Sequence, residues 1–126
     1  MNELKIQKEL RKFAKKRDWV KFHNLKNLAI SINLESSELL EIFQWENENS
    51  KFWLKKNTKN HIEEEIADVM LYILRFADIA EIDLEKACIE KIKKNKKSTQ
   101  SNCLKEYLQN IINLKDRFKK ALNEEK

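Results

Sequence analysis

The sequence predicts an all-α protein, and three observations carry that expectation. Glycine and proline are both absent from its 126 residues. Turns must then be built from Asn, Asp, Ser and Lys, which a helical chain with few turns tolerates best. Apolar side chains also recur at steps of three and four: Leu25, Leu28, Ile32, Leu39 and Phe43 form one stripe, and Ile62, Ile66, Val69, Ile73 and Ala77 another. Each stripe further carries an acidic pair at a spacing of three, Glu35 with Glu38 and Glu65 with Asp68. On a helix that spacing stacks two carboxylates on one face.

The elements follow in order. Residues 2–17 read as a first helix, with Leu4, Leu10, Phe13 and Ala14 set among lysines and arginines. The segment RDWVKFHNLKN is a connection rich in large side chains, where Trp19, Phe22 and His23 pack over the helices or line a pocket. His23 by itself reads as structural, with a distant pairing to His61 left open. Asn24 is placed to cap a second helix over 25–46. Residues 47–60 are the least regular stretch, with a short helical turn at Lys51–Leu54. Thr58 or Asn60 then caps a third helix over 61–81, whose Glu63, Glu64 and Glu65 favour a helix N-terminus. Asp83 caps a fourth helix with a lysine-rich end, and STQSNC is a turn. The last segment, 102–124, places Tyr107, Ile111, Leu114, Phe118 and Ala121 along one apolar seam. Such a seam covers other helices or pairs with a second subunit, and the expectation here is assembly.

Composition narrows the function. At 41% hydrophobic and 37% charged the chain suits one domain with a modest core. The lack of glycine excludes glycine-rich phosphate loops, dinucleotide fingerprints and nucleophile elbows. No apolar run approaches the roughly 18 residues of a membrane span and no signal peptide is visible, so a cytoplasmic protein is expected. Cys88 and Cys103 are too few and too far apart for a zinc or redox motif, and Cys88 reads as a buried thiol. Of the net +5, residues 1–34 hold nine basic against three acidic side chains, whereas residues 35–68 hold four against nine. A basic rim beside an acidic centre suits an anionic ligand reached through bound metal, and it also suits nonspecific contact with nucleic acid.

The acids are the chemical signal. Glu35 falls close to the line through Leu28 and Ile32, and Asp68 sits beside Val69, so these carboxylates border the core. Like charges drawn out of bulk water protonate, separate or hold cations. Mg²⁺ is the economical solution, because it takes carboxylate oxygens and accepts phosphate oxygens as further ligands. The alternative is that both pairs are solvated helix edges. Glu64 and Asp68 also stand four apart, so spacing leaves open which acid of the third helix would bind.

Taken together, RDWVKFHNLKNLAISI at 17–32, LESSELLEIFQW at 34–45, EEIADVMLYILRFADIAEIDLEKA at 64–87 and KIKKN at 91–95 resemble the MazG-like all-α nucleoside triphosphate pyrophosphohydrolases, in particular the dCTP pyrophosphatase-like branch. The resemblance covers residues from about 3 to 97. It implies a four-helix-type bundle over 1–100, with 101–126 an additional C-terminal amphipathic helix for packing or oligomerisation. It implies Mg²⁺ held by Glu35, Glu38, Glu65 and Asp68, and cleavage of a nucleotide between its α and β phosphates. Trp19, Trp45 and Tyr72 match positions that shape the base and sugar pocket, Asn95 an asparagine near the substrate, and Lys91 a family lysine. A homodimer or tetramer is implied, with no membrane and no specific nucleic acid as partner.

The chain departs from the family pattern at three places. Ser37 replaces the usual glycine of E-x-G-E. NKKSTQ replaces N-x-x-K-Y-P, with Ser98 where lysine is expected. Leu10 stands where the related branch has a histidine, which loosens the expectation of cytosine specificity. The chemistry expected is attack of water on the α phosphorus, with Glu38 or Glu41 as the base that activates it. Lys91 and Lys26 would compensate the outer phosphates. Two other readings predict different behaviour. A noncatalytic basic helical module would bind nucleic acid or a protein partner without turnover. An enzyme with the same site would cleave another nucleotide, such as dUTP or a damaged triphosphate.

Overall fold

The computed structural model describes residues 1–47, 49–97 and 100–124. Its elements are α1 (Glu3–Lys16), α2 (Leu25–Phe43), α3 (Lys56–Ile79), α4 (Leu84–Lys97) and α5 (Gln100–Glu124), with 3-10 turns at Val20–Phe22 and Phe52–Leu54. Among the described residues there is no strand, as the all-α class requires. Four helices precede the additional C-terminal one. The chain packs as two compact units, Met1–Leu84 and Glu85–Lys126. No described helix is long and apolar enough to cross a membrane.

In the first unit, α2 packs along α3, and α1 packs on α3 as well. Leu28, Leu74, Ala77 and Ala14 are its fully buried apolar side chains. Two buried polar groups accompany them. The Gln7 side-chain amide donates to the Leu74 carbonyl at 3.2 Å, so α1 is tied to α3 by a hydrogen bond inside the contact. Arg75 is also buried. The inward face of α1 therefore runs through Gln7 and Ala14, and Leu4 faces solvent.

Helix boundaries follow from local hydrogen bonds. Asn2 and Asn24 cap α1 and α2, their side-chain oxygens accepting from Lys5 N at 3.0 Å and Asn27 N at 2.8 Å. The second helix stops at Phe43, three residues before the expected end, because Glu46 N donates to the Phe43 carbonyl and closes a turn. Phe52 then meets Phe43 edge-on at 5.4 Å, fastening the connection to the helix end. The third helix starts at Lys56, five residues before the expected 61, since the Phe52–Leu54 turn feeds directly into it through Lys59 N to the Lys55 carbonyl. Thr58 and Asn60 are consequently inside the helix, and Lys55 makes no side-chain cap. Glu63, Glu64 and Glu65 lie beyond the first turn and do not serve the helix dipole.

Two helix ends use left-handed residues without glycine. At the end of α1, Asp18 has φ 55, with Asp18 N donating to the Lys15 carbonyl and Trp19 N to the Ala14 carbonyl. At the end of α3, Glu81 has φ 56, with Glu81 N donating to the Asp78 carbonyl and Ile82 N to the Ala77 carbonyl. Both are Schellman ends, which normally take glycine because a Cβ is costly there. The first of them aims Trp19 back over α1, where its ring meets Phe13 edge-on at 5.7 Å.

In the second unit, α4 buries no side chain, and Cys88 is exposed where a buried thiol was expected. With Ile89 and Ile92 also exposed, this helix offers a thiol no interior to enter. The helix α5 begins at Gln100, so the expected turn STQSNC is helical from there on, and Ser98 and Thr99 lie outside the described residues. Tyr107 and Leu114 of the expected seam are exposed, together with Leu104, Leu108 and Ile112. The side chains of Phe118 and Ala121 lie outside the described residues.

Replacing Glu81 with glycine relieves the left-handed strain at the end of α3. The variant is expected to unfold at a temperature higher by a few degrees, a gain of about 1 kcal/mol, measured by thermal melting.

Candidate metal centre and flanking clefts

The α2–α3 contact brings together carboxylates that the sequence keeps apart. Leu28 is buried, and Glu35 lies two turns further along that side of α2, half-buried beside the interface. Glu38 follows one turn later and is exposed. From α3, Glu65 points to the same place with its side chain 13% exposed. One ligand oxygen from each of Glu35, Glu38 and Glu65 lies within 4.8 Å of the others. Ser37 fits between them without disturbing the helix, its hydroxyl donating to the Asn33 carbonyl at 2.9 Å.

The electrostatic cost appears at Glu35. Burial first, then the charges of Glu38, Asp68 and Glu65, push its carboxyl above the ordinary value. Glu65 carries a second cost, because its Oε2 is buried and has no hydrogen-bond partner. An orphaned carboxylate oxygen beside two others is what a cation-binding site leaves when only the protein is considered. The donors are all oxygen, which suits a hard divalent ion. These residues therefore fit a divalent cation.

Asp68, the fourth expected ligand, stands outside the trio. It is exposed, and it lines a different cleft of about 250 Å³ with Leu10, Phe13, Trp19, Tyr72 and Arg75. It remains near enough for its charge to act on Glu35. This aromatic cleft is walled by Trp19, which also meets His23 edge-on at 6.4 Å. Arg75 Nε donates to His23 Nδ1 at 3.2 Å, which leaves the imidazole proton on Nε2. Burial, and secondarily the Arg75 charge, keep His23 below its ordinary pKa. Arg75 in turn donates to Asp78 Oδ2 at 3.1 Å, and Arg11 Nε donates to the same oxygen at 2.9 Å.

A second, open cleft of about 690 Å³ is lined by Glu38, Glu41, Glu46, Thr58, His61 and Glu65. The expected catalytic pair Glu38 and Glu41 thus shares one wall. Trp45 follows α2 in a turn and is 89% exposed, while Lys26 is exposed in the first turn of α2. Lys91 and Asn95 are exposed on α4, in the second unit.

Sequence reading missed two site residues. His61 Nε2 lies 3.1 Å from Glu65 Oε1, so His61 serves the acidic centre, and each histidine has its own partner. The i,i+4 spacing to Glu65 was a usable signal, since both residues fall within the expected helix 61–81. Arg75 was legible as the one basic residue in the largely apolar run VMLYILRFADI.

Residues 30–110 match the MazG-like family. The chain belongs to that family. It is 43% identical to a pyrophosphatase of Archaeoglobus fulgidus known from a crystal structure, with a TM-score of 0.69 over 75% of this chain and 89% of that one. It is also 34% identical over 87 residues to dCTP pyrophosphatase 1 of Rattus norvegicus, and 32% identical over 88 residues to the Homo sapiens protein of the same name. These matches take in 67% and 68% of this chain and 51% of each relative, so the chain spans about half the length of those relatives.

The geometry sets expectations for Glu35 and Trp45. With its pKa raised, Glu35 contributes stability that is full below the ordinary carboxylate range and lost as pH rises through the raised value. Without divalent ions, Glu35→Gln should therefore melt at a higher temperature than the parent at pH 7, and the difference should vanish in acid. A divalent cation should raise the parent's melting temperature at pH 7 and leave that of Glu35→Gln nearly unmoved. Trp45→Ala removes no buried surface and should change stability by less than about 0.5 kcal/mol.

Proposed function

We propose that this chain hydrolyses a nucleoside triphosphate between its α and β phosphates, releasing a monophosphate and pyrophosphate. The observation that carries the reading is the carboxylate trio gathered from two helices, with one buried oxygen lacking a partner. Membership of the MazG-like family, and likeness to proteins named as pyrophosphatases, support it.

Glu35, Glu38 and Glu65 would hold Mg²⁺, with Asp68 joining from the edge of the aromatic cleft. When bound, the ion supplies charge neutralisation for the phosphate oxygens. The chain's own groups do the rest. Glu41 lines the open cleft beside Glu38 and stands outside the trio. One of these two carboxylates takes a proton from water as the water oxygen bonds to the α phosphorus. The bond from that phosphorus to the bridging oxygen breaks, and its electron pair leaves with pyrophosphate. Trp19 and Tyr72 offer planar walls for the base in the cleft that contains Asp68. Trp45, Lys91 and Asn95 are carried as substrate contacts on the family pattern alone, and Lys26 as a candidate to compensate the outer phosphates.

The proposed substrate is a pyrimidine deoxynucleoside triphosphate such as dCTP, and the proposed role is control of the nucleotide pool in the cytoplasm. Leu10 in the aromatic cleft takes away a polar contact available to the related branch, so cytosine selection need not be strict. Residues 1–100 would form the hydrolytic domain, with 101–126 serving packing or self-association into a dimer or tetramer. The exposed Leu104, Leu108 and Ile112, spaced by four along α5, support that role.

A panel of canonical and modified nucleoside triphosphates with Mg²⁺ tests the proposal directly. Release of monophosphate and pyrophosphate is expected, and orthophosphate would contradict it. Nucleic-acid binding with steep salt dependence and no turnover would favour a noncatalytic module instead. Glu38→Gln and Asp68→Asn should keep their helical circular dichroism and lose about 100-fold or more of the turnover. Full turnover in both variants would remove the metal site from the mechanism.

A further inference from the structure

His61 and Glu65 stand one turn apart on α3, and their contact assigns different fates to the two oxygens of one carboxylate. A carboxylate oxygen only accepts, so the proton in the 3.1 Å contact belongs to His61 Nε2, and Glu65 Oε1 receives it. Oε2 is buried and without a partner. A free glutamate at a cation can bind through either oxygen or through both. Here one oxygen is already engaged, and the rotation that would exchange the two breaks a hydrogen bond.

We infer that His61 is a positioning residue: it locks the Glu65 carboxylate and leaves Oε2 as the single oxygen offered to a divalent cation. Glu65 would then offer a divalent cation one oxygen, beside those of Glu35 and Glu38. The inference rests on the metal reading of the trio. His61 suits the task because its side chain is 57% exposed while the Glu65 side chain is 13% exposed. Its ring reaches the site from the wall of the open cleft, so removing it deletes a hydrogen bond and little packing. Outer partners of this kind typically set metal affinity by about 10- to 100-fold.

The test compares Mn²⁺ binding to the full chain without nucleotide, followed by electron paramagnetic resonance of the free ion. His61→Leu removes the donor, and His61→Gln keeps an N–H that can reach the same oxygen. The Leu variant is expected to bind Mn²⁺ about 10-fold or more weakly, with the Gln variant close to the parent. Metal-free melting temperatures should stay near the parent's in both. Parental affinity in the Leu variant would overturn the role of His61 while leaving the metal centre standing. Equal loss in the two variants would overturn hydrogen-bond donation as its means. A parent chain that binds no Mn²⁺ would bring down the metal reading and this inference with it.

Discussion

Packing α2 on α3 forces Glu35, Glu38 and Glu65 to within 4.8 Å of one another, and their mutual repulsion organises the chemistry around them. Apolar contact supplies the force that holds the helices together, centred on buried Leu28 and Leu74. The acids themselves oppose the approach, as the raised pKa of Glu35 records. Anything that neutralises these carboxylates would restore the stability that their repulsion costs. The orphaned Oε2 of Glu65 belongs to the same bargain.

Two clefts differ in chemistry, and the acidic one takes in Glu38 and Glu65 of the trio. One is aromatic, with Trp19 and Tyr72 beside Asp68. The other is open and acidic, with Glu38, Glu41 and His61 on its wall. The aromatic side is also the more firmly built. Arg75 holds His23 in one tautomer and is itself held by Asp78, which Arg11 anchors from α1.

The absence of glycine shapes this architecture as well. Where other chains would end a helix on glycine, Asp18 and Glu81 accept the left-handed conformation. The end at Asp18 turns the chain so that Trp19 comes back against Phe13, forming part of the aromatic wall. Arg17 stacks over Phe13 at 4.3 Å and reinforces the same corner.

The helices, the cap at Asn24 and the two acidic pairs were legible in the chain of letters, because helical period and capping chemistry act over three or four residues. The start of α3 was not, since Lys55 makes no side-chain cap and the Phe52–Leu54 turn leads into the helix without a local stop. The partition of the acids was equally out of reach: Asp68 has the same spacing from Glu65 as Glu38 has from Glu35, yet only the side-by-side register of α2 and α3 places Glu65 in the trio and Asp68 in the aromatic cleft. Local spacing decides which carboxylates share a helix face. Packing between helices decides which of them share a cation, because that depends on distances across an interface that no single helix contains.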